Sequence, residues 1–207
     1  MGGLPKAWQP VLAAAAMIVA ATAQTVPAQA NRSMATGDLT SQPIGHYEFC
    51  QRVPEECMIR PSDRGPLSLG AELKAFVSQV NVAVNAAVKP LSDLEIYGRD
   101  EFWTYPVAGV GDCEDYALEK RRMLMEAGIS LSNLLITVVR KQDGEGHAVL
   151  TVRTDRGDYI LDNLTDDVKL WSETSYSFLK RQASNHTGRW VSLREENNML
   201  VSAVASQ

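Results

Sequence analysis

Apolar residues recur at helical spacing in the stretch that follows Ser68. They are Leu69, Leu73, Phe76, Val77, Val80, Val84 and Val88. This spacing predicts a long helix that covers a core, with Ser68 as its N-cap and Pro90 beyond its end. A second helix is predicted from Cys113 to Ala127, and Gly128 is a natural C-terminal stop. Residues 91–107, between the two helices, are predicted to form a loop.

After the second helix, the pattern changes to β-branched and alternating apolar runs. Strands are predicted over Leu134–Val139, His147–Arg153, Tyr159–Asp162, Tyr176–Arg181 and Arg189–Leu193. Glycine-rich and aspartate-rich turn signals separate the first three of these runs. Because helices come first and strands follow, the order predicts an α+β fold with helices packed on an antiparallel sheet.

The first thirty residues have the composition of a secretory signal peptide. Lys6 supplies a short positive region, residues 11–23 are apolar, and Ala28-Gln29-Ala30 fits a cleavage site. The apolar run is short for a membrane span, although an uncleaved N-terminal anchor is the alternative. The mature chain is therefore expected to begin near Asn31 and to act outside the cytoplasm.

Residues 31–66 lack periodicity and are predicted to be irregular. Residues 31–42 are small and polar, which is typical of a loosely attached lead-in. Residues 46–66 contain three prolines. Residues 67–207 are then predicted to form one globular domain.

Composition and net charge limit the kinds of binding partner that are expected. The chain has 207 residues, 45% of them hydrophobic, and a formal net charge of −5. This hydrophobic content is enough for one domain with a sizeable core. The chain has no basic cluster, so nucleic acid is not expected to be a partner. No organic cofactor is expected either.

Three cysteines divide into a pair and a single residue. Export makes disulfides possible, and Cys50 and Cys57 are close enough in sequence to close a small loop. Two buried free thiols are the alternative. Cys113 is left over, and an unpaired cysteine in an exported protein indicates a reactive thiol.

Cys113 stands where a glycine-rich approach meets the predicted second helix. A thiol in the first helical turn meets unpaired backbone N–H groups and the positive end of the helix dipole, which favour the thiolate. Asp112, Glu114 and Asp115 crowd the same turn and oppose this effect. The cysteine therefore needs a cationic partner or a bound metal.

His147 and Asp162 are the candidates for that partner and its support. His147 begins a predicted strand and Asp162 ends the next one. If the two share a sheet face, the carboxylate orients the imidazole, and the imidazolium stabilises a thiolate at Cys113.

The turn between these strands decides whether they meet. His147 lies opposite Asp162 if a four-residue turn, Arg153 to Arg156, joins the strands. A two-residue turn at Arg156-Gly157 would instead leave them four residues apart, about 13 Å along the strand. A Cys-His-Asp triad therefore predicts the longer turn or a bulge.

Several short motifs occur in order along the chain. They are Val80-Asn81, Val84-Asn85, Tyr97-Gly98, Trp103-Thr104 and Gly111-Asp112-Cys113-Glu114-Asp115-Tyr116-Ala117, followed by His147 and Asp162. In this pattern the chain resembles the bacterial transglutaminase-like cysteine proteinases, from about Val80 to Asp162. The resemblance implies a papain-like core in which Cys113 is the nucleophile, His147 the base and Asp162 its orienting partner.

The resemblance also implies that the chain binds calcium. Adhesin-cleaving members of this family bind calcium through carboxylates that flank the cysteine, which here are Asp112 and Glu114. A hard divalent cation prefers oxygen ligands and would cancel the local negative charge. The alternative is helix capping by Asp112, with Glu114 and Asp115 complementing the helix dipole. By analogy with transglutaminases, Trp103 is a candidate for stabilising an oxyanion, although packing is the favoured role.

These features together predict an exported cysteine peptidase that cleaves a protein substrate in the periplasm or at the cell surface. An acyltransferase in which a lysine amine replaces water would use the same triad, and a non-catalytic binding module is a third interpretation. The resemblance implies a surface adhesin as the substrate class and an inner-membrane receptor as a partner.

Overall fold

The structure is a computed structural model that describes residues 1–2 and 32–194. The predicted signal peptide lies almost entirely outside the described residues. The helices of the described part are α1 (Ile44–Arg52), α2 (Pro54–Cys57), α3 (Ala71–Ala87), α4 (Asp93–Tyr97) and α5 (Cys113–Glu126). None of these helices combines the length and the apolar character that a membrane crossing requires.

Most of the strands follow the helices along the chain. They are β1 (Thr36–Thr40), β2 (Lys89–Pro90), β3 (Val110–Gly111), β4 (Leu134–Arg140), β5 (Gly146–Thr154), β6 (Gly157–Asp162), β7 (Thr165–Leu170), β8 (Ser177–Ala183) and β9 (His186–Leu193). Seven of them form one antiparallel sheet in the order β1-β9-β8-β4-β5-β6-β7, and β2 pairs with β3 in parallel. The predicted α+β class, with helices packed on an antiparallel sheet, is confirmed.

The main core lies between the helices and the central strands. Leu118 and Leu124 of α5 pack with Ile136 of β4 and with Leu150 of β5, and all four side chains are fully buried. The apolar spacing of α3 likewise places Val77, Val80 and Val84 in this core. Burial of such a stripe, rather than helix propensity, is what stabilises these helices. The packing fixes the start of α5 over the sheet.

The prediction that residues 31–66 are irregular is wrong. β1 pairs with β9 at one edge of the sheet, α1 and α2 are helical, and Phe49 and Cys57 belong to the main core. The three prolines do not prevent this, because Pro54 occupies the first turn of α2, where a missing N–H is tolerated. The described part of this segment therefore belongs to the same packed unit as the residues after 67.

The segments before and after α3 also differ from the prediction. α3 begins after Gly70 rather than Ser68, because the turn between β5 and β6 holds the preceding residues extended: Leu67 bridges to Thr154, and the Leu69 N–H donates to Asp155. The predicted loop at 91–107 contains α4, which a capping box formed by Ser92 and Glu95 starts.

Candidate active site

Cys113 is the first residue of α5. Asp112 is the N-cap residue, and the backbone N–H groups that follow have no partner within the helix. The helix ends at Glu126, and Gly128 adopts a positive φ of 92° as the predicted C-terminal stop. Local sequence therefore positions the thiol at the mouth of a helix whose apolar side is fixed in the core.

His147 and Asp162 form a buried pair. Nε2 of His147 lies 2.9 Å from Oδ1 of Asp162, and their side chains are 5% and 3% exposed. Burial alone would raise the pKa of Asp162, but hydrogen bonds from His147, Tyr176 and the Leu164 N–H lower it, so the carboxylate is charged. This is the contact that the predicted roles of the two residues require.

The predicted route to this contact is wrong. Thr154 pairs with Gly157, so only Asp155 and Arg156 form the turn. Continuing this register would place Asp162 opposite Val149, two residues from His147. Such diagonal neighbours on one face are about 7–8 Å apart at Cα, a distance that two long side chains bridge.

The tight turn has a local cause. The backbone N–H of Asp155 donates to the carbonyl of Leu67, and Gly157 has a φ of 122° that side chains rarely adopt. These two constraints centre the turn one residue earlier than the Arg156-Gly157 dipeptide suggested. The pairing of β5 with β6 therefore extends closer to the turn than the predicted four-residue turn would allow, and His147 and Asp162 still meet.

The Cys113 thiol lies beside the residue that follows His147. The half-buried thiol is the one free cysteine of the described residues, and the backbone of Ala148 is within hydrogen-bonding reach of its sulfur. Sγ donates a hydrogen bond to Oε2 of Glu114, 3.1 Å away, and the structure has no hydrogen bond between Cys113 and the His147 ring. Burial and then the Glu114 carboxylate raise the pKa of Cys113 well above its usual value.

Carboxylates surround this thiol. Oxygens of Asp93, Asp112 and Asp115 lie within 4.8 Å of one another. An oxygen of Glu114 also lies within 4.8 Å of an Asp112 oxygen and of the Cys113 sulfur. Asp93, Asp112 and Asp115 each accept a hydrogen bond from a backbone N–H through one oxygen, while their other oxygen is buried without a partner. We call Asp93, Asp112, Glu114 and Asp115 the acidic cluster.

The acidic cluster is electrostatically strained. Burial and the charge of Asp112 raise the pKa of Glu114 to about 10, and burial with the same neighbour raises the pKa of Asp115 to about 8. Gly111 makes room for the cluster, because a Cβ at this position would lie 2.6 Å from Oδ2 of Asp115. Converging, unpaired carboxylate oxygens are the donor set that a calcium ion requires.

The structure does not show the capping hydrogen bond that the alternative role of Asp112 requires. Asp112 is the N-cap residue, yet its side chain makes no capping hydrogen bond to α5. Its Oδ2 accepts from the Asp93 N–H at 3.2 Å instead. Trp103 has its favoured packing role, since it is 2% exposed and its indole N–H donates to Glu101.

Sequence reasoning missed four residues of the site. Asp93 joins the acidic cluster from α4, and Asp115 was assigned only to the helix dipole. Tyr176 donates to Asp162, and Asn85 of α3 donates to the carbonyl of Asp162. No local signal marks Asp93 or Tyr176, because each reaches the site through a contact distant in sequence.

The other cysteines and histidines are not part of this site. Cys50 and Cys57 form a disulfide, as their spacing predicts. His46 is buried against both sulfurs, and burial lowers its pKa to about 3. His186 lies on β9, at a hairpin two strands away from β4.

A comparison with solved structures agrees with this architecture. The structure resembles calcium-bound LapG of Legionella pneumophila, with 23% identity, a TM-score of 0.50, and coverage of 64% of this chain and 80% of that one. EGTA-treated LapG of the same organism is 25% identical at a TM-score of 0.49, with coverage of 61% and 74%. The first likeness supports the fold. No curated protein matches significantly.

The family comparison covers most of the chain. The model of the bacterial transglutaminase-like cysteine proteinases (BTLCP) matches residues 36–198. This range contains the thiol at the start of α5, the His147–Asp162 pair and the acidic cluster. The chain therefore belongs to the bacterial transglutaminase-like cysteine proteinases and is a transglutaminase-like cysteine peptidase.

Proposed function

We propose that this peptidase hydrolyses a protein substrate with a Cys113-His147-Asp162 triad. The observation that supports this most directly is the 2.9 Å pairing of His147 with Asp162, next to the Ala148 backbone that contacts the Cys113 thiol. Cys113 begins α5, whereas His147 and Asp162 lie on the neighbouring strands β5 and β6, so it is the packing of α5 on the sheet that supports a shared site.

The pairing assigns the two nitrogens of His147. Nε2 is occupied by Asp162, so an Nε2–H donor leaves Nδ1 as the nitrogen that takes the thiol proton. The Cys113 thiolate then attacks the substrate carbonyl. His147 protonates the departing amine and next activates the water that releases the acyl-enzyme. The free N–H groups at the start of α5 face developing negative charge.

We also propose that the acidic cluster binds calcium. Asp93, Asp112, Glu114 and Asp115 would hold the ion, and the buried, unpartnered oxygens of the three aspartates fit that role. A bound calcium ion would supply positive charge that cancels the mutual repulsion of these carboxylates. Glu114 would then no longer draw the Cys113 proton toward itself, and the thiol would be easier to ionise. The calcium-bound state of Legionella LapG supports this assignment.

The proposed site of action is outside the cytoplasm, in the periplasm or at the cell surface. The disulfide between Cys50 and Cys57 supports this, because disulfides persist mainly in oxidising compartments. A surface adhesin as substrate and an inner-membrane receptor as partner are proposals that follow from the family resemblance.

Alkylation of Cys113 tests the proposed triad without a known substrate. In buffer that contains calcium, His147→Ala should slow the reaction of Cys113 with iodoacetamide at pH 7 by about tenfold or more. The reason is that an unassisted cysteine is only a few per cent thiolate at this pH. The rate is measured by mass spectrometry of the modified peptide.

His186→Ala is the matched control for this measurement. His186 lies on β9, away from the site, and its loss should leave the alkylation rate unchanged. Equal rates for wild type and His147→Ala would remove the basis for an activated thiol.

Calorimetric titration of the whole chain tests the calcium proposal. Asp93→Asn should weaken calcium binding by about tenfold or more, because it removes a charge and alters one buried ligand. The same variant should lose most of the calcium-induced rise in the melting temperature of the wild type.

The control for calcium is Asp167→Asn, which changes an exposed acid outside the acidic cluster. This variant should bind calcium as the wild type does. Identical binding by Asp93→Asn and wild type would show that the ion, if bound, lies elsewhere.

A further inference from the structure

We infer that Tyr176 is a positioning residue of the triad, an inference that rests on the proposed function. Its hydroxyl donates a hydrogen bond to Oδ2 of Asp162 at 2.5 Å, while Oδ1 of the same carboxylate meets Nε2 of His147 at 2.9 Å. The two oxygens of Asp162 therefore divide their roles, one for the histidine and one for the tyrosine.

The tyrosine is the contact that fixes the carboxylate plane. Oδ1 accepts a second hydrogen bond, from the Leu164 N–H at 3.0 Å, but this donor belongs to the same turn as Asp162. Among the described residues, Tyr176 is the only donor to Oδ2. Because Asp162 is 3% exposed, water is a poor substitute for the lost hydroxyl. Without it, the buried oxygen is left unsatisfied and the carboxylate is free to rotate away from His147.

Tyr176 also contacts the imidazole directly. Its ring centroid lies 5.6 Å from that of His147, with the two planes tilted by 58°. Tyr176 immediately precedes β8, whereas His147 and Asp162 come from β5 and β6. A third segment of the chain therefore supports the pair from one side and restricts the motion of the His147 ring and of the Asp162 carboxylate.

Other charged groups near Asp162 do not replace this contact. Lys120 of α5 interacts through its charge with Asp162 and with Asp166 of β7, without a hydrogen bond from Lys120 to the Asp162 carboxylate. Asn85 donates to the backbone carbonyl of Asp162, which anchors the turn but leaves the side chain free. Orientation of the carboxylate thus depends on His147, Leu164 and Tyr176.

A double-mutant cycle tests this role. The iodoacetamide alkylation rate of Cys113 is measured with calcium present for wild type, Tyr176→Phe, Asp162→Asn and the double variant. Tyr176→Phe keeps the ring and removes only the hydroxyl, so we expect a rate about tenfold below wild type. In the Asp162→Asn background, the same change should alter the rate by less than about twofold, because the carboxylate it orients is already gone.

Tyr159→Phe is the matched control, since Tyr159 lies on β6 three residues before Asp162. It should alkylate at the wild-type rate. Melting temperatures establish that each variant is folded. If Tyr176→Phe is unfolded, Tyr176→His, which keeps a ring and a hydrogen-bond donor, takes its place and should react faster than Asp162→Asn.

The outcomes separate the inference from the function on which it rests. Unchanged alkylation in Asp162→Asn would overturn the triad itself, and with it the role of Tyr176. Slow alkylation of Cys113 in Asp162→Asn, together with a wild-type alkylation rate in Tyr176→Phe, would overturn only the role of Tyr176. An equal loss from Tyr176→Phe in both backgrounds would show general packing and would also overturn it.

Discussion

Replacing Cys113 with alanine should abolish cleavage of the protein substrate. Loss of the nucleophile from a triad leaves only binding and oxyanion stabilisation, and in comparable hydrolases the loss is at least about 10⁴-fold. Alanine favours helix, and Cys113 is the half-buried first residue of α5, so the fold should persist.

The measurement is a comparison of new protein N termini. Envelope proteins of cells that express the wild type or Cys113→Ala are labelled at their N termini and analysed by mass spectrometry. New termini that require Cys113 indicate hydrolysis, whereas a labelled primary amine attached to glutamine would indicate acyl transfer. An identical set of termini in both strains would contradict the proposed nucleophile.

Replacing Lys120 with methionine should raise the free energy of unfolding at pH 7. Lys120 is 1% exposed, its Nζ has no hydrogen-bond partner, and Nζ lies 5.7 Å from the centre of the Tyr116 ring. Burial lowers the pKa of Lys120 to about 7 from an ordinary value of 10.5. Methionine has a similar length without the charge, so it removes a desolvation penalty on the order of a few kcal/mol.

The sign of the pH dependence follows from this lowered pKa. Between about pH 7 and pH 10, the unfolded chain keeps the Lys120 proton and the folded protein loses it, so this lysine makes stability rise with pH. The slope for one proton is about 1.4 kcal/mol per pH unit. Glu114 and Asp115, whose pKa values are raised, contribute in the opposite direction.

The difference between wild type and Lys120→Met isolates the lysine. Urea unfolding at pH 7, 8 and 9 should show an advantage of the variant that shrinks as the pH rises. Lys74→Met, on the exposed side of α3, should show no such trend. A variant that is less stable than wild type at pH 7 would mean that the charge of Lys120 is stabilised by the nearby Asp162 and Asp166 carboxylates.

Local chemistry determined the centre of this protein. The glycine-rich approach, the cysteine and the apolar repeat predicted α5 almost to the residue, with Gly128 beyond its end. Alternation and turn residues likewise predicted β4, β5 and β6, because both signals act between near neighbours. The three residues proposed for catalysis all lie at the ends of these elements.

Signals between distant residues were weaker. β1 was missed because its partner, β9, follows it by about 150 positions. A short polar strand with a distant partner has no periodicity strong enough to separate it from a loop. The capping box of α4 was present in the sequence, but the segment is too short for apolar periodicity to indicate a helix.

The sequence by itself determined the fold class, the thiol at a helix start, and the order of the cysteine, histidine and aspartate. Only the tertiary structure decided that Asp93 completes the acidic cluster and that Tyr176 reaches Asp162. It also decided that a tight turn still lets His147 meet Asp162. Periodicity and turn chemistry act over a few residues, whereas these contacts depend on how α4, α5 and the sheet pack, and burial of the core fixes that packing.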